Sequence, residues 1–214
     1  MRKHRLPGVF IVLDGCECAG KSTQMKALEK WLRANHGDRE IIRTREPGGS
    51  PFAERLYDLF KKEGMGTTSA YTQFCTVFAS RFDHVEKVVI PALGRGAIVI
   101  CDRYEGSTYA YQVCGMEAPD LFVSFCALQK LVPAPDITYI LEAPTDVLIA
   151  RVAERRGEEL SVFDVANRGF YERVAEGFRQ YGKLYGQHPA VSIDANRPEN
   201  VVSDDLFKRI DLLV

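Results

Sequence analysis

The chain has 214 residues, 46% of them hydrophobic, which is enough for one domain, 1–214, with a sizeable core and room for a small movable insertion. Its 28 Lys and Arg against 29 Asp and Glu leave a formal net charge of −1, which argues against a chain-wide basic surface for nucleic acid or an anionic membrane. No uncharged apolar run reaches membrane-spanning length, and the basic start, Met1 to Arg5, leads into no signal-type stretch, so a soluble cytoplasmic protein is expected. The six cysteines (Cys16, Cys18, Cys75, Cys101, Cys114 and Cys126) form no zinc-like spacing and are expected to be reduced thiols, mostly in the core.

In chain order, the apolar run Val9 to Leu13 ends at Asp14-Gly15, the pattern of a strand buried on both faces of a parallel sheet. Gly20 to His36 is predicted as helix, and Ile41-Ile42 lies in a second strand closed by the irregular turn Arg45-Glu46-Pro47-Gly48-Gly49. Pro51 opens another helix. From Ala70 to Leu93 apolar residues recur at helical spacing, interrupted on one face by Arg81, Asp83 and His84, until Gly94-Arg95-Gly96. Ala97 to Cys101, Ile137 to Leu141 and Ala190 to Ile193 complete five predicted strands, with a helix from Thr145 toward Arg155. This alternation predicts an α/β fold, a central parallel five-stranded sheet with helices on both faces, its site at the carboxyl ends of the strands.

Gly15-Cys16-Glu17-Cys18-Ala19-Gly20-Lys21-Ser22 matches G-x-x-x-x-G-K-[ST] between a predicted strand and a predicted helix. In such a loop successive backbone N–H groups cradle the phosphates of a nucleotide, with Thr23 next along the helix. Lys21 places a charge near the β and γ oxygens, and the Ser22 hydroxyl can ligate Mg²⁺. ATP is the expected nucleotide: the N-K-x-D and D-x-x-G strings of a GTP-binding switch are absent. The Cys16 and Cys18 thiols are expected to be small loop fillers.

Val99 to Tyr104 ends a strand with Asp102, suited to the Mg²⁺ shell, and Arg103, suited to phosphate. With Arg45 and Arg81 facing the same crevice, the site is far more cationic than the chain, which suggests an anionic acceptor. A phosphate monoester, with a second pKa of about 6, is largely dianionic at pH 7 and needs no catalytic base. An alcohol acceptor would need one, for which Glu46 or Asp14 is the candidate.

Four strings together resemble the thymidylate kinase family of P-loop kinases: the loop after Asp14, Thr44 to Gly49, Phe78-Ala79-Ser80-Arg81, and Asp102 to Gln112. The resemblance runs along nearly the whole chain and implies transfer of phosphate from ATP to dTMP, in a homodimer. It implies that Arg103, with Arg45 nearby, holds the acceptor phosphate and that Arg81 meets the thymine carbonyl edge. Ser107, Thr108 and Gln112 would complete acceptor recognition, Tyr111 would crowd the sugar 2′ position, and Pro47 would lie under the nucleotide. Residues of about 151–164 resemble the lid that closes over ATP, with Arg151 against the adenine.

Two departures from the family pattern stand out. Cys18 and Ser161-Val162 occupy positions where members carry a catalytic arginine in the loop or in the lid, while Glu17 fits the lid-arginine subtype; Arg155 or Arg156 would then supply the charge. Val77 stands where members have a phenylalanine stacked on thymine, leaving Phe74 or Phe78 to compensate. A kinase for another deoxypyrimidine monophosphate or a deoxynucleoside, or a catalytically silent nucleotide-binding protein, remain the alternatives.

Overall fold

A computed structural model describes residues 6–63, 67–154, 168–184, 190–210 and 213. Five strands, β1 (Val9–Gly15), β2 (Ile41–Arg45), β3 (Ile98–Asp102), β4 (Ile137–Glu142) and β5 (Ala190–Asp194), form one parallel sheet in the order β2-β3-β1-β4-β5. The helices between them are α1 (Lys21–Asn35), α2 (Pro51–Glu63), α3 (Ala70–His84), α4 (Ile90–Gly94), α5 (Glu105–Thr108), α6 (Leu121–Leu128), α7 (Thr145–Glu154), α8 (Arg168–Leu184) and α9 (Glu199–Ile210).

Because successive strand residues point to opposite faces, the continuous apolar run of β1 feeds two cores at once. Val9, Ile11 and Leu13 join Met25, Leu28 and Leu32 of α1, Val174, Phe178 and Tyr181 of α8, and Val202, Leu206 and Ile210 of α9. Phe10 and Val12 join Val85, Val89, Ala92 and Leu93 on the other face. The sheet is therefore covered on both sides, as the sequence pattern predicts.

The long helix expected over 70–93 is present but not uniform: α3 passes through a π-helical turn, Val85–Val89, into α4. Pro91 cannot donate an amide hydrogen, and the wide turn just before it absorbs the break in the ladder. Sequence reading assigned no element to 103–136 or to 168–184. The first stretch folds as α5, a π-helical segment Tyr109–Gly115, α6 and a 3₁₀ turn Gln129–Leu131. The second is α8, whose Phe170, Tyr171, Val174, Phe178 and Tyr181 do recur on one helical face and could have been found.

Helix α8 backs the π-helical segment through Gly177: a Cβ there would lie 2.8 Å from Ala110 Cα and 2.9 Å from Cys114 Cβ. Gly177→Ala should therefore lose about 1–3 kcal/mol from overpacking, outweighing the roughly 1 kcal/mol that alanine gains in a helix. Denaturant midpoints at unchanged slope would measure this, and an equal or raised midpoint would contradict the close packing.

Candidate active site

Strand β1 delivers the phosphate loop. Gly15 (φ 140°) and Gly20 (φ 91°) sit where side chains are strained, and a Cβ on Gly15 would lie 2.4 Å from the Leu141 carbonyl oxygen. Cys18 takes φ 56° without being glycine. Lys21 Nζ is buried and donates to the carbonyls of Gly15 at 3.0 Å and Cys16 at 2.7 Å. Burial, and after it Arg103, pushes this ammonium below its ordinary value, so its charge sits in a medium that strengthens its pull on an anion. Ser22 and Thr23 are exposed at the head of α1. Arg151 reaches the loop from α7, donating to Cys18 O at 3.3 Å and Ala195 O at 3.4 Å, and so ties the loop to the turn after β5.

Strand β3 delivers Asp102 and Arg103 beside that loop. Arg103 has φ 68°, and its Nη1 donates to Gly15 O at 3.2 Å and Ser107 Oγ at 3.1 Å. Its Nη2 pairs with Glu17, and the guanidinium lies 5.1 Å from the Tyr111 ring centroid. Burial opposes the Arg103 charge, but Glu17 and then Tyr111, Asp102 and Asp14 outweigh it, so the pKa stands well above the usual value. The Tyr111 hydroxyl accepts from the Glu17 N–H at 3.1 Å. Asp14, fully buried, accepts from Ser107 Oγ at 2.5 Å and Ser107 N at 3.3 Å, and burial raises its pKa against the pull of Ser107 and Arg103. Asp102 Oδ1 is a buried oxygen without a hydrogen-bond partner among the described residues.

A second group lies between the turn after β2 and helix α3. Arg81, 1% exposed, donates from Nε to Glu46 Oε2 at 2.7 Å and from Nη2 to Thr108 Oγ1 at 2.9 Å. Its Nη1 is buried and unpartnered among the described residues. Burial opposes the Arg81 charge too, and Glu46 outweighs it. Gln112 Nε2 donates to Gln73 Oε1 at 3.4 Å. Nearer the surface, Arg45 donates to Glu54 Oε2 at 2.5 Å and Pro47 O at 2.7 Å and lies 4.4 Å from the Tyr57 ring centroid.

The fold thus brings together the loop, Asp14, Glu17, Asp102, Arg103, Ser107 and Tyr111, and beside them Glu46, Arg81, Thr108 and Gln112. Phe74 and Phe78 are each 2% exposed, with rings 4.8 Å apart, and Phe78 lies 4.9 Å from the Arg81 guanidinium carbon, so both rings are packed into the protein. Arg155 and Arg156 lie outside the described residues. Sequence reading passed over Thr44, Glu54, Tyr57, Gln73 and His84 as site residues; a buried His84 one turn from Arg81 on an apolar helix face was the available signal.

The sheet order and the phosphate loop at the end of β1 are those of a P-loop kinase fold. A sequence model described as thymidylate kinase matches residues 13–206. A thymidylate kinase of Pseudomonas fluorescens is 39% identical over 204 residues, 94% of each chain. One of Caulobacter vibrioides is 37% identical over 212 residues, 96% of this chain and 99% of that one. The crystal structure of thymidylate kinase from Ehrlichia chaffeensis superposes with a TM-score of 0.75 at 29% identity, covering 95% of this chain and 98% of that one. The chain belongs to the thymidylate kinase family.

None of the six cysteines is in a disulfide, but only Cys16 and Cys101 are buried; Cys18, Cys114 and Cys126 are intermediate and Cys75 is exposed, fewer in the core than the sequence reading expects. Burial pushes the Cys16 thiol up to about 11, with Lys21 and Arg103 only partly opposing it. The buried thiol stays protonated near neutral pH, so iodoacetamide should label the exposed Cys75 while sparing Cys16. Peptide mapping by mass spectrometry reads this directly, and early loss of Cys16 would contradict its burial.

Proposed function

We propose that the chain transfers the γ-phosphoryl group of ATP to dTMP, giving dTDP and ADP in dTTP synthesis. The carrying observation is Arg81: two of its nitrogens are held by Glu46 and Thr108, and the third is a buried donor with no partner among the described residues. Such a donor recognises a neutral carbonyl and rejects an analogue that leaves it unpaired. Thymine offers that carbonyl. Thr108 and Gln112 supply further polar atoms beside it, and Tyr111 flanks the place of the sugar.

Arg103 would hold the acceptor phosphate, with Arg45 nearer the surface and Pro47 under the nucleotide; the Ser107 hydroxyl, held by Asp14, orients Arg103 from behind. Both oxygens of Glu46 are engaged by Arg81 and His84, and Asp14 accepts twice from Ser107, so neither suits the general base that an alcohol acceptor requires. This favours a monophosphate over a nucleoside. Catalysis then rests on positioning and charge neutralisation. The loop from Gly15 to Ser22 would cradle the ATP phosphates with Lys21 at the β and γ oxygens, and Arg151 would lie against the adenine.

The described residues contain no cluster of three or more His, Cys, Asp or Glu side chains suited to a metal. Magnesium needs none, since it is held largely by phosphates and waters with one or two protein oxygens. The unpartnered Asp102 Oδ1 and the Ser22 hydroxyl fit that role. Bound there, the ion would neutralise charge on the phosphate oxygens. No helix among the described residues is long and apolar enough to cross a membrane. The homodimer would pair through the helical stretch 70–93, where Tyr71 and Ile90 are exposed.

The buried Val77 and the packed Phe74 and Phe78 make relaxed base selectivity the second reading. A coupled assay should show dTMP turning over well ahead of dCMP, dUMP and thymidine; equal rates would move the assignment. Lys21→Ala should lower kcat by about 10² or more while leaving the fold. Arg155→Ala and Arg156→Ala, tested separately, should single out one arginine worth about 10³ in rate. Undiminished phosphoryl transfer in Lys21→Ala would refute the phosphate-loop assignment, and undiminished transfer in both arginine variants would refute a role for either.

A further inference from the structure

His84 lies in the middle of the site's deepest polar network and has no part in the chemistry described above. It is fully buried at the end of α3, three residues after Arg81 and therefore on the same helix face. Its Nδ1 is 3.0 Å from Glu46 Oε1 and its Nε2 is 2.7 Å from Thr44 Oγ1. A carboxylate can only accept, so Nδ1 carries the proton, and in the neutral ring Nε2 accepts from the Thr44 hydroxyl. The ring is clamped as well as bonded: a Cβ on Gly49 would lie 2.5 Å from its Cδ2 and 2.6 Å from its Nε2. The turn after β2 therefore closes directly on the imidazole.

We propose that His84 is a positioning residue for acceptor selectivity, which keeps the Glu46 carboxylate from forking across Arg81 Nε and Nη2 and so preserves the Nη2–Thr108 bond that fixes the guanidinium with Nη1 toward the acceptor base. The inference rests on the reading of the crevice as the dTMP site. An arginine facing a free carboxylate tends to a bidentate pair, two parallel N–H bonds to two oxygens. Here His84 takes Oε1, and Arg81 is left with a single bond from Nε to Oε2. Thr108 takes Nη2 and nothing among the described residues takes Nη1. With His84 removed, Glu46 is free to turn and take Nη2, the neighbour of Nε on the same edge of the guanidinium, from Thr108, and the buried site admits little water to satisfy the vacated oxygen otherwise.

Three substitutions separate this role from simple packing. His84→Asn keeps an N–H near the Nδ1 position, His84→Gln keeps a polar group toward Thr44 only, and His84→Leu keeps neither. His84→Leu and His84→Gln should raise the dTMP KM and its calorimetric Kd about tenfold, with kcat within about twofold and the ATP KM unchanged. His84→Asn should recover dTMP binding to within about threefold of the parent. In an Arg81→Met background, His84→Leu should add less than about twofold, because the guanidinium it positions is gone. Equal defects in the Asn and Leu variants would overturn the proposal. So would a full additive effect on Arg81→Met, or a parallel fall in kcat, both KM values and melting temperature. If the parent chain binds dTMP but transfers nothing to it, the functional reading fails, while the calorimetric series still decides the part played by His84.

Discussion

Asp102 ends β3 level with Arg45 at the end of β2 and with Leu13 in β1, and the Arg103 N–H donates to Leu13 O at 2.9 Å. This one parallel register sets the phosphate loop, the Asp102-Arg103 pair and the turn after β2 side by side at the carboxyl edge of the sheet. A slip of one residue between β1 and β3 would turn Asp102 to the opposite face and exchange the two cores that Phe10, Ile11, Val12 and Leu13 divide between them. The apolar side chains thus hold the register, and the register holds the polar ones. Both ends of the proposed reaction depend on it, because neither the loop nor the arginines make a site alone.

Within that frame the cations are matched to carboxylates of unequal permanence. Arg81 and Glu46 are each 1% exposed on their side chains, and a buried pair of this kind is costly to break because the remaining charge has no water to turn to. Arg45 and Glu54 are 41% and 42% exposed and are screened accordingly, so their pairing contributes little to stability. Arg103 with Glu17 falls between, at 16% and 20%. On the proposed function, the gradient runs from the base-reading end, built into the protein, to the phosphate-binding end, whose partners are more exposed.

What could be read in the sequence follows the range over which each feature is determined. The phosphate loop is local: strand, eight residues and helix are contiguous, and the two glycines occur where the backbone needs them. Strands β1, β3 and β4 were legible because burial on both faces leaves an unbroken apolar run. Segment 103–136 was not, because α6 is apolar nearly all round and the π-helical Tyr109–Gly115 has no period to find. The Phe74 and Phe78 side chains show the limit most plainly. Their spacing announces a helical apolar face, but whether a ring meets a ligand or packs on Arg81 and Phe125 is decided by residues distant in sequence. The Glu46–His84–Thr44 contacts, spanning α3 and the end of β2, were invisible for the same reason.

The gradient of pairing bears on how such a site can be both selective and quick. Reading a base by hydrogen bonds requires donors fixed before the ligand arrives, since each degree of freedom frozen on binding weakens it. Arg81 meets that condition, with the Phe78 and Tyr104 rings 4.9 and 4.8 Å from its guanidinium carbon and two nitrogens bonded. A phosphate site has a different problem, because a bare guanidinium must shed water before it can grip a dianion. Arg103 already has Glu17, Tyr111 and Ser107 around it in place of water, so a phosphate bound there, as proposed, would exchange one anionic partner for another. Glu17, displaced, stays within the phosphate loop, where its N–H is held by Tyr111. On the proposed function the interior of the loop, which lacks an arginine, would still contribute to acceptor binding, because its Glu17 carboxylate holds Arg103 in place beside the loop.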